Sequence, residues 1–267
     1  MAAFDRYIEG VHAFADAMRT RGGSYRQFDC SQAAADLRES LPIAIGDGAN
    51  RGVILRSDTF LELGNPAAGS GSHLLWTDAP SLIHDGRITL VGPDIPESAG
   101  ASLPFAQVLM LAGEGLSSAD HERLQQTPIV GDQIEGYMVR STEENIWSRV
   151  SKGVAERGFD FEVLGKSQLA LVKSGTSGIT AMEILFVTSG KEDIAQLSSL
   201  AADAKSIGSD ILKQTWKERG YDLDCSVDCS SCHDSDVCDD VRYLMVSMKD
   251  KARKNKAAGA AEADAAD

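Results

Sequence analysis

Several stretches of this chain are short, continuously apolar and fenced by turn residues, and that texture commits much of it to a sheet. Ala181-Met-Glu-Ile-Leu-Phe-Val-Thr188 has the length and composition of a buried strand. Gly52-Val-Ile-Leu55, Ile88-Thr-Leu-Val91 and Val108-Leu-Met-Leu111 read the same way, and Ile134 to Val139 reads as a shorter strand. Turns are marked by Gly64-Asn65-Pro66, Asp85-Gly86 and Gly92-Pro93-Asp94. Gly69-Ser70-Gly71-Ser72 reads as a flexible or closely approached loop.

Helical periodicity separates these runs. Phe4, Tyr7, Ile8, Val11 and Phe14 form one stripe that ends at Arg21-Gly22-Gly23-Ser24, and a second helix starts near Ser31, so residues 1–40 read as two helices. Further helices are expected over 116–127, over Glu143–Arg157 with Ser141 or Thr142 as cap, over Phe161–Lys173 and over Lys191–Arg219. The fold class is α/β: a mixed sheet flanked by helices, with an N-terminal helical extension (1–45), an α/β domain (46–220), a cysteine-rich metal-binding segment (221–248) and a disordered tail (249–267).

A chain of 267 residues with 43% apolar and 25% charged side chains is long enough to bury a real core. Its formal charge of −14 argues against coating nucleic acid or an anionic membrane, so an anionic ligand needs a local basic patch. No early segment has signal-peptide character and no apolar run has the length of a membrane span, which makes the cytoplasm the expected compartment.

Four of the five cysteines crowd into one loop with the spacing Cys225-x3-Cys229-x2-Cys232-x5-Cys238. Clustered thiols in a cytoplasmic chain point to metal rather than to disulfides. Four thiolates can surround a four-iron, four-sulfur cluster or a zinc ion, and spacing alone leaves both open. The intervening aspartates would lower a cluster's reduction potential. Cys30 stands alone and reads as a core thiol. The histidines His12, His73, His84 and His121 are scattered without ligand spacing, and no phosphate-binding loop, dinucleotide fingerprint or catalytic dyad is visible.

Several motifs in collinear order carry a family resemblance: Asp58-Thr-Phe-Leu-Glu-Leu-Gly-Asn-Pro66, Arg87-Ile-Thr-Leu-Val-Gly-Pro-Asp-Ile95, Pro104-Phe105, Ile134-Glu-Gly-Tyr-Met138, Ile146-Trp-Ser-Arg-Val-Ser-Lys152, Gly158-Phe159 and Leu164-Gly165. Over roughly residues 50–240 the chain resembles the middle domain of acetyl-CoA synthase, the nickel and iron–sulfur subunit of the carbon monoxide dehydrogenase/acetyl-CoA synthase complex. The resemblance implies binding of coenzyme A (CoA) through arginines near a tryptophan, which by position are Trp147 and Arg149, with Lys152 and Arg140 close in sequence. On the expected helix, Arg149 and Lys152 share a face and Trp147 does not. The alternatives are a core tryptophan, and for the cations a solvated helix face or salt bridges with Glu143, Glu144 and Glu156.

The family's Cys-Gly-Cys tripeptide, which holds a nickel, has no counterpart after Cys238, so the chain is not expected to assemble the nickel cluster or act catalytically alone. Three functions follow. The first is an accessory subunit of a multi-subunit complex that binds CoA or acyl-CoA, or docks a catalytic subunit. The second is an enzyme subunit that completes a CoA-thioester site with a partner chain, and the third is a zinc-stapled interaction module. None involves nucleic acid or a membrane.

Overall fold

The computed structural model describes residues 3–46, 52–65, 67–141 and 145–218. In chain order these form α1 (Asp5–Arg21), β1 (Tyr25–Asp29), α2 (Ala34–Glu39), β2 (Thr59–Leu63), β3 (Ser70–Thr77), β4 (Arg87–Val91), β5 (Ala101–Leu103), β6 (Phe105–Ala112), α3 (His121–Leu124), β7 (Tyr137–Ser141), β8 (Ile146–Ser151), α4 (Lys152–Ala155), α5 (Phe161–Gly175), β9 (Ala181–Val187) and α6 (Lys191–Glu218). The chain divides into two compact units, Met1–Ile207 and Gly208–Asp267. Of the second unit, only the last turns of α6 are described; Leu212 and Trp216 form a buried apolar pair there.

The first unit holds two mixed sheets flanked by helices. The larger has strand order β1-β4-β9-β6-β3 and the smaller β5-β2-β8-β7. In the larger sheet β4 and β9 run parallel, β9 and β6 antiparallel, and β6 and β3 parallel. Every residue of β6 and of β9 is buried, as a continuous apolar run demands when both faces of a sheet are covered. Alternation along β9 sends Glu183 toward α1, where it meets His12, and Phe186 toward α5, where its ring lies 5.3 Å from that of Phe161. Helix α5 comes so close to the sheet that a Cβ on Gly165 would stand 2.6 Å from Ile88, which is why glycine occupies that helical position.

The two sheets are stitched at the start of β8. Ser70 Oγ donates to the Ile146 carbonyl at 2.6 Å and accepts from the Ile146 N–H at 2.8 Å. Gly64, at φ +75°, passes so near that a Cβ would sit 2.0 Å from the Ile146 carbonyl oxygen.

The helices expected over Phe161–Lys173 and Lys191–Arg219, and the strands at Ile88, Val108 and Ala181, are present within a few residues. Elsewhere the structure differs. Residues 1–40 contain a strand between their two helices, because β1 completes the larger sheet by pairing antiparallel with β4. The Gly69–Ser72 segment is mostly strand, paired in parallel with β6; Gly71 lies where a Cβ would be 3.2 Å from that of Ala106, so the closely approached reading holds and the flexible one does not. Gly52–Leu55 is not a strand: Val53 and Leu55 are exposed, and pairing begins at Thr59. Ile146–Ser151 is a strand and not a helix, paired on both sides with β2 and β7. Among the described residues no helix is long and apolar enough to cross a membrane.

His121 ties α3 to the sheet. It is 3% exposed, accepts a 2.9 Å hydrogen bond at Nδ1 from Trp76 Nε1–H and stacks on Phe4. Burial lowers its pKa from 6.5 to about 4. Between those values the unfolded chain takes up a proton that the native chain refuses, so stability declines as pH falls from 6.5 toward about 4 and this contribution levels off below. The shift corresponds to at most about 3 kcal/mol. Urea denaturation at several pH values in that range is expected to show a shallower decline for His121→Gln than for the parent chain.

Candidate functional site

Strand β8 carries the residues that the sequence singles out. Ile146, Ser148 and Val150 are buried, while Trp147 and Arg149 lie half-buried on the other face. A strand repeats every two residues, so Trp147 and Arg149 share a face here, which the expected helix would have denied them. The Arg149 guanidinium sits 4.7 Å from the centroid of the Trp147 ring, in cation–π contact. Antiparallel pairing then places Arg140 of β7 directly opposite Trp147 on that face, and Glu62 of β2 opposite Arg149. Trp147 is therefore not a core tryptophan.

Glu143 and Glu144 lie outside the described residues, and among the described ones the cations of this face pair with Glu62 and Asp132. Arg149 donates from Nε and Nη2 to Glu62 Oε1, each at 2.9 Å, and from Nη1 to the Ile54 carbonyl at 3.1 Å. Its five donors are largely committed, and its stacking face is fixed. Arg140 is exposed and makes a looser contact with Asp132 at 3.3 Å. Lys152, at the first turn of α4, is exposed and donates to the Ser57 carbonyl at 2.8 Å. The structure thus brings together Trp147, Arg149 and Arg140 on one face of a sheet, while Lys152 follows at the end of the strand.

A cleft of about 460 Å³ opens beside β2 and α4. Asp94, Glu97, Glu156 and Asp160 line it, with Arg26 as the one cation among its lining residues, and Arg26 is already paired with Asp94. Burial raises the pKa of Asp160, which caps α5 by accepting from the Val163 N–H at 2.7 Å. Such a lining repels polyphosphates.

Another cluster joins residues that are far apart in sequence. His12 of α1, His84 of the turn before β4 and Glu183 of β9 present ligand atoms that all lie within 4.8 Å of one another. The Glu183 side chain is 3% exposed. Burial opposes its charge, but His12, the His84 backbone N–H and Arg87 outweigh that cost and hold its carboxyl below the ordinary range. His12 and His84 stand 72 positions apart, so the sequence gives no spacing that joins them; its one signal is a glutamate inside an otherwise apolar strand. Cys225, Cys229, Cys232 and Cys238 lie outside the described residues. Cys30 is buried, as a core thiol should be.

The molecule is thus an α/β protein of two mixed sheets that presents an arginine-stacked tryptophan on the face of the smaller one. Residues 41–193, more than half of the chain, match the family described as CO dehydrogenase/acetyl-CoA synthase complex beta subunit, and the chain belongs to that family. A relative from Methanosarcina thermophila, acetyl-CoA decarbonylase/synthase complex subunit beta 1, is 28% identical over 182 residues, covering 67% of this chain and 38% of the relative. The subunit beta of Methanopyrus kandleri is 32% identical over 152 residues, covering 55% of this chain and 32% of the relative. That of Archaeoglobus fulgidus is 28% identical over 139 residues, covering 51% and 26%. The match therefore spans well under half the length of these relatives.

The Arg149–Glu62 pair is only 19% and 28% exposed at its side chains, so it is shielded from solvent screening better than a surface pair. A double-mutant cycle with Arg149→Ala and Glu62→Ala, read by chemical denaturation, is expected to give a coupling of about 1 kcal/mol. Arg149→Ala should also change the emission of Trp147, which loses its stacked cation.

Proposed function

We propose that this chain is a partner subunit related to the beta subunit of the acetyl-CoA decarbonylase/synthase complex, and that it binds CoA or an acyl-CoA on the outward face of β7 and β8. The observation that carries this reading is the register that sets Arg140 opposite Trp147 and stacks Arg149 on the same ring. An adenine ring takes an aromatic or guanidinium face, and phosphates take cations whose existing partners are weak. Arg149 then holds the tryptophan in place while Arg140, released from Asp132, and Lys152 meet the phosphates. The acidic cleft near Asp160 is unsuited to that task.

Docking to a catalytic subunit is part of the same proposal. Val53 and Leu55 are 70% and 65% exposed, and they flank the Ile54 carbonyl that Arg149 binds. Exposed aliphatic side chains beside a ligand-binding face suit contact with another protein chain. The cytoplasm suits such a subunit. The four thiolates of Cys225, Cys229, Cys232 and Cys238 form a donor set suited to an iron–sulfur cluster or to zinc.

Titration calorimetry with the tag-free chain tests the ligand reading. CoA is expected to bind, and Arg140→Ala combined with Lys152→Ala to weaken it by about tenfold or more. The absence of both heat and thermal shift at millimolar CoA would overturn the proposal. For the cysteines, iron and acid-labile sulfide in anaerobically purified protein would identify a cluster; one zinc per chain without sulfide would identify a staple.

A further inference from the structure

From the geometry we infer that His12, His84 and Glu183 form a binding site for a divalent transition ion of the zinc class, built from residues other than those of the β7–β8 face. Three features carry the inference. First, two imidazole nitrogens from different elements converge on one carboxylate oxygen: His12 Nε2 lies 3.1 Å and His84 Nδ1 3.4 Å from Glu183 Oε2. A tetrahedral ion with bonds of about 2.0–2.1 Å separates its ligand atoms by about 3.3 Å, so two of the three edges are already formed. The third, between the two imidazoles, lies within 4.8 Å, and His84, whose side chain is 58% exposed, has the room to close it.

Second, the carboxylate is held from behind. Arg87 donates to the opposite oxygen, Oε1, from Nε at 2.7 Å and Nη2 at 2.5 Å, and the His84 N–H reaches Oε2 at 3.0 Å. Outer contacts of this kind fix the direction in which a ligating oxygen points. Arg87 also cancels part of the carboxylate's charge, which sets the site at moderate rather than extreme affinity. Third, the site is open where an ion must enter. Glu183 forms a buried floor, His12 a half-buried wall and His84 an exposed one, so an ion can approach from the His84 side.

The donor set, two imidazoles and one carboxylate, favours zinc and its neighbours over magnesium or calcium, which prefer oxygen ligands. An ion bound there would cross-link α1, the turn before β4, and β9, three elements of the larger sheet's core. The competing account is a metal-free network in which both histidines only support the Arg87–Glu183 ion pair.

The test uses the full, tag-free chain in which Cys225, Cys229, Cys232 and Cys238 are all changed to serine, so that thiolate binding does not obscure the result. Equilibrium dialysis with Zn²⁺ is expected to show one ion per chain, with a rise in Tm. His84→Ala, at an exposed position that should leave folding intact, is expected to weaken binding by at least about tenfold and to abolish the rise. In the unsubstituted chain, nitrogen-15 spectra of the imidazoles should show Zn²⁺ shifting Nδ1 of His84 and Nε2 of His12, the nitrogens that face Glu183. Absence of Zn²⁺ binding in the serine background, or binding that His84→Ala leaves unchanged, would overturn the inference. Shifts at the opposite ring nitrogens would overturn it as well.

Discussion

Strand β9 is hydrogen-bonded along both edges, to β4 on one side and β6 on the other, and covered on both faces. Nothing on it reaches bulk water, so each side chain must satisfy itself locally. Six of its seven residues do so by being apolar. Glu183 cannot, and a buried carboxylate without partners would cost several kcal/mol. Arg87, the His84 N–H and His12 are gathered around it for that reason, and their gathering fixes how α1 and the turn before β4 meet the sheet. One charged residue in a core strand thereby ties a helix and a turn to the sheet.

The smaller sheet depends on a different constraint, the close passage of Gly64 and Ser70 against Ile146. With the start of β8 pinned, the alternation that follows has no freedom: Ile146, Ser148 and Val150 go inward, and Trp147 and Arg149 outward. The cation–aromatic pair is a consequence of register. Glu62 and Arg140 arrive through cross-strand pairing from β2 and β7, which a linear reading has no means of seeing.

Long signals were legible: the stripe of α1, the runs of α5 and α6, and the uninterrupted apolarity of β9. Short ones were ambiguous. Ile146–Ser151 spans only six residues, and with glutamates on either side its period of two is too short to be told from a helical stretch. Gly69–Ser72 has loop composition, but pairing with β6 overrides propensity where the neighbouring strand needs a residue without a side chain. Gly52–Leu55 has strand composition, but Val53 and Leu55 face solvent and the segment pairs with no strand among the described residues. The tryptophan and arginines stand out by position along the chain, whereas their shared face is set by strand pairing alone. The His12, His84 and Glu183 cluster was not legible, because its members come from a helix, a turn and a strand whose convergence is purely tertiary.

The order of strands in the larger sheet bears on how the protein is made. β9 lies between β4 and β6, yet it follows both in the chain. Until Val187 has left the ribosome, β4 and β6 each keep an unsatisfied edge of backbone donors and acceptors, and β4's only neighbour is β1. Such edges are templates for pairing with other chains. The middle of the sheet is filled last, by a segment that must be inserted between two strands already waiting for it. A nascent chain of this kind is therefore most exposed to aggregation just before its core strand arrives, and such non-local closure is intrinsically slow.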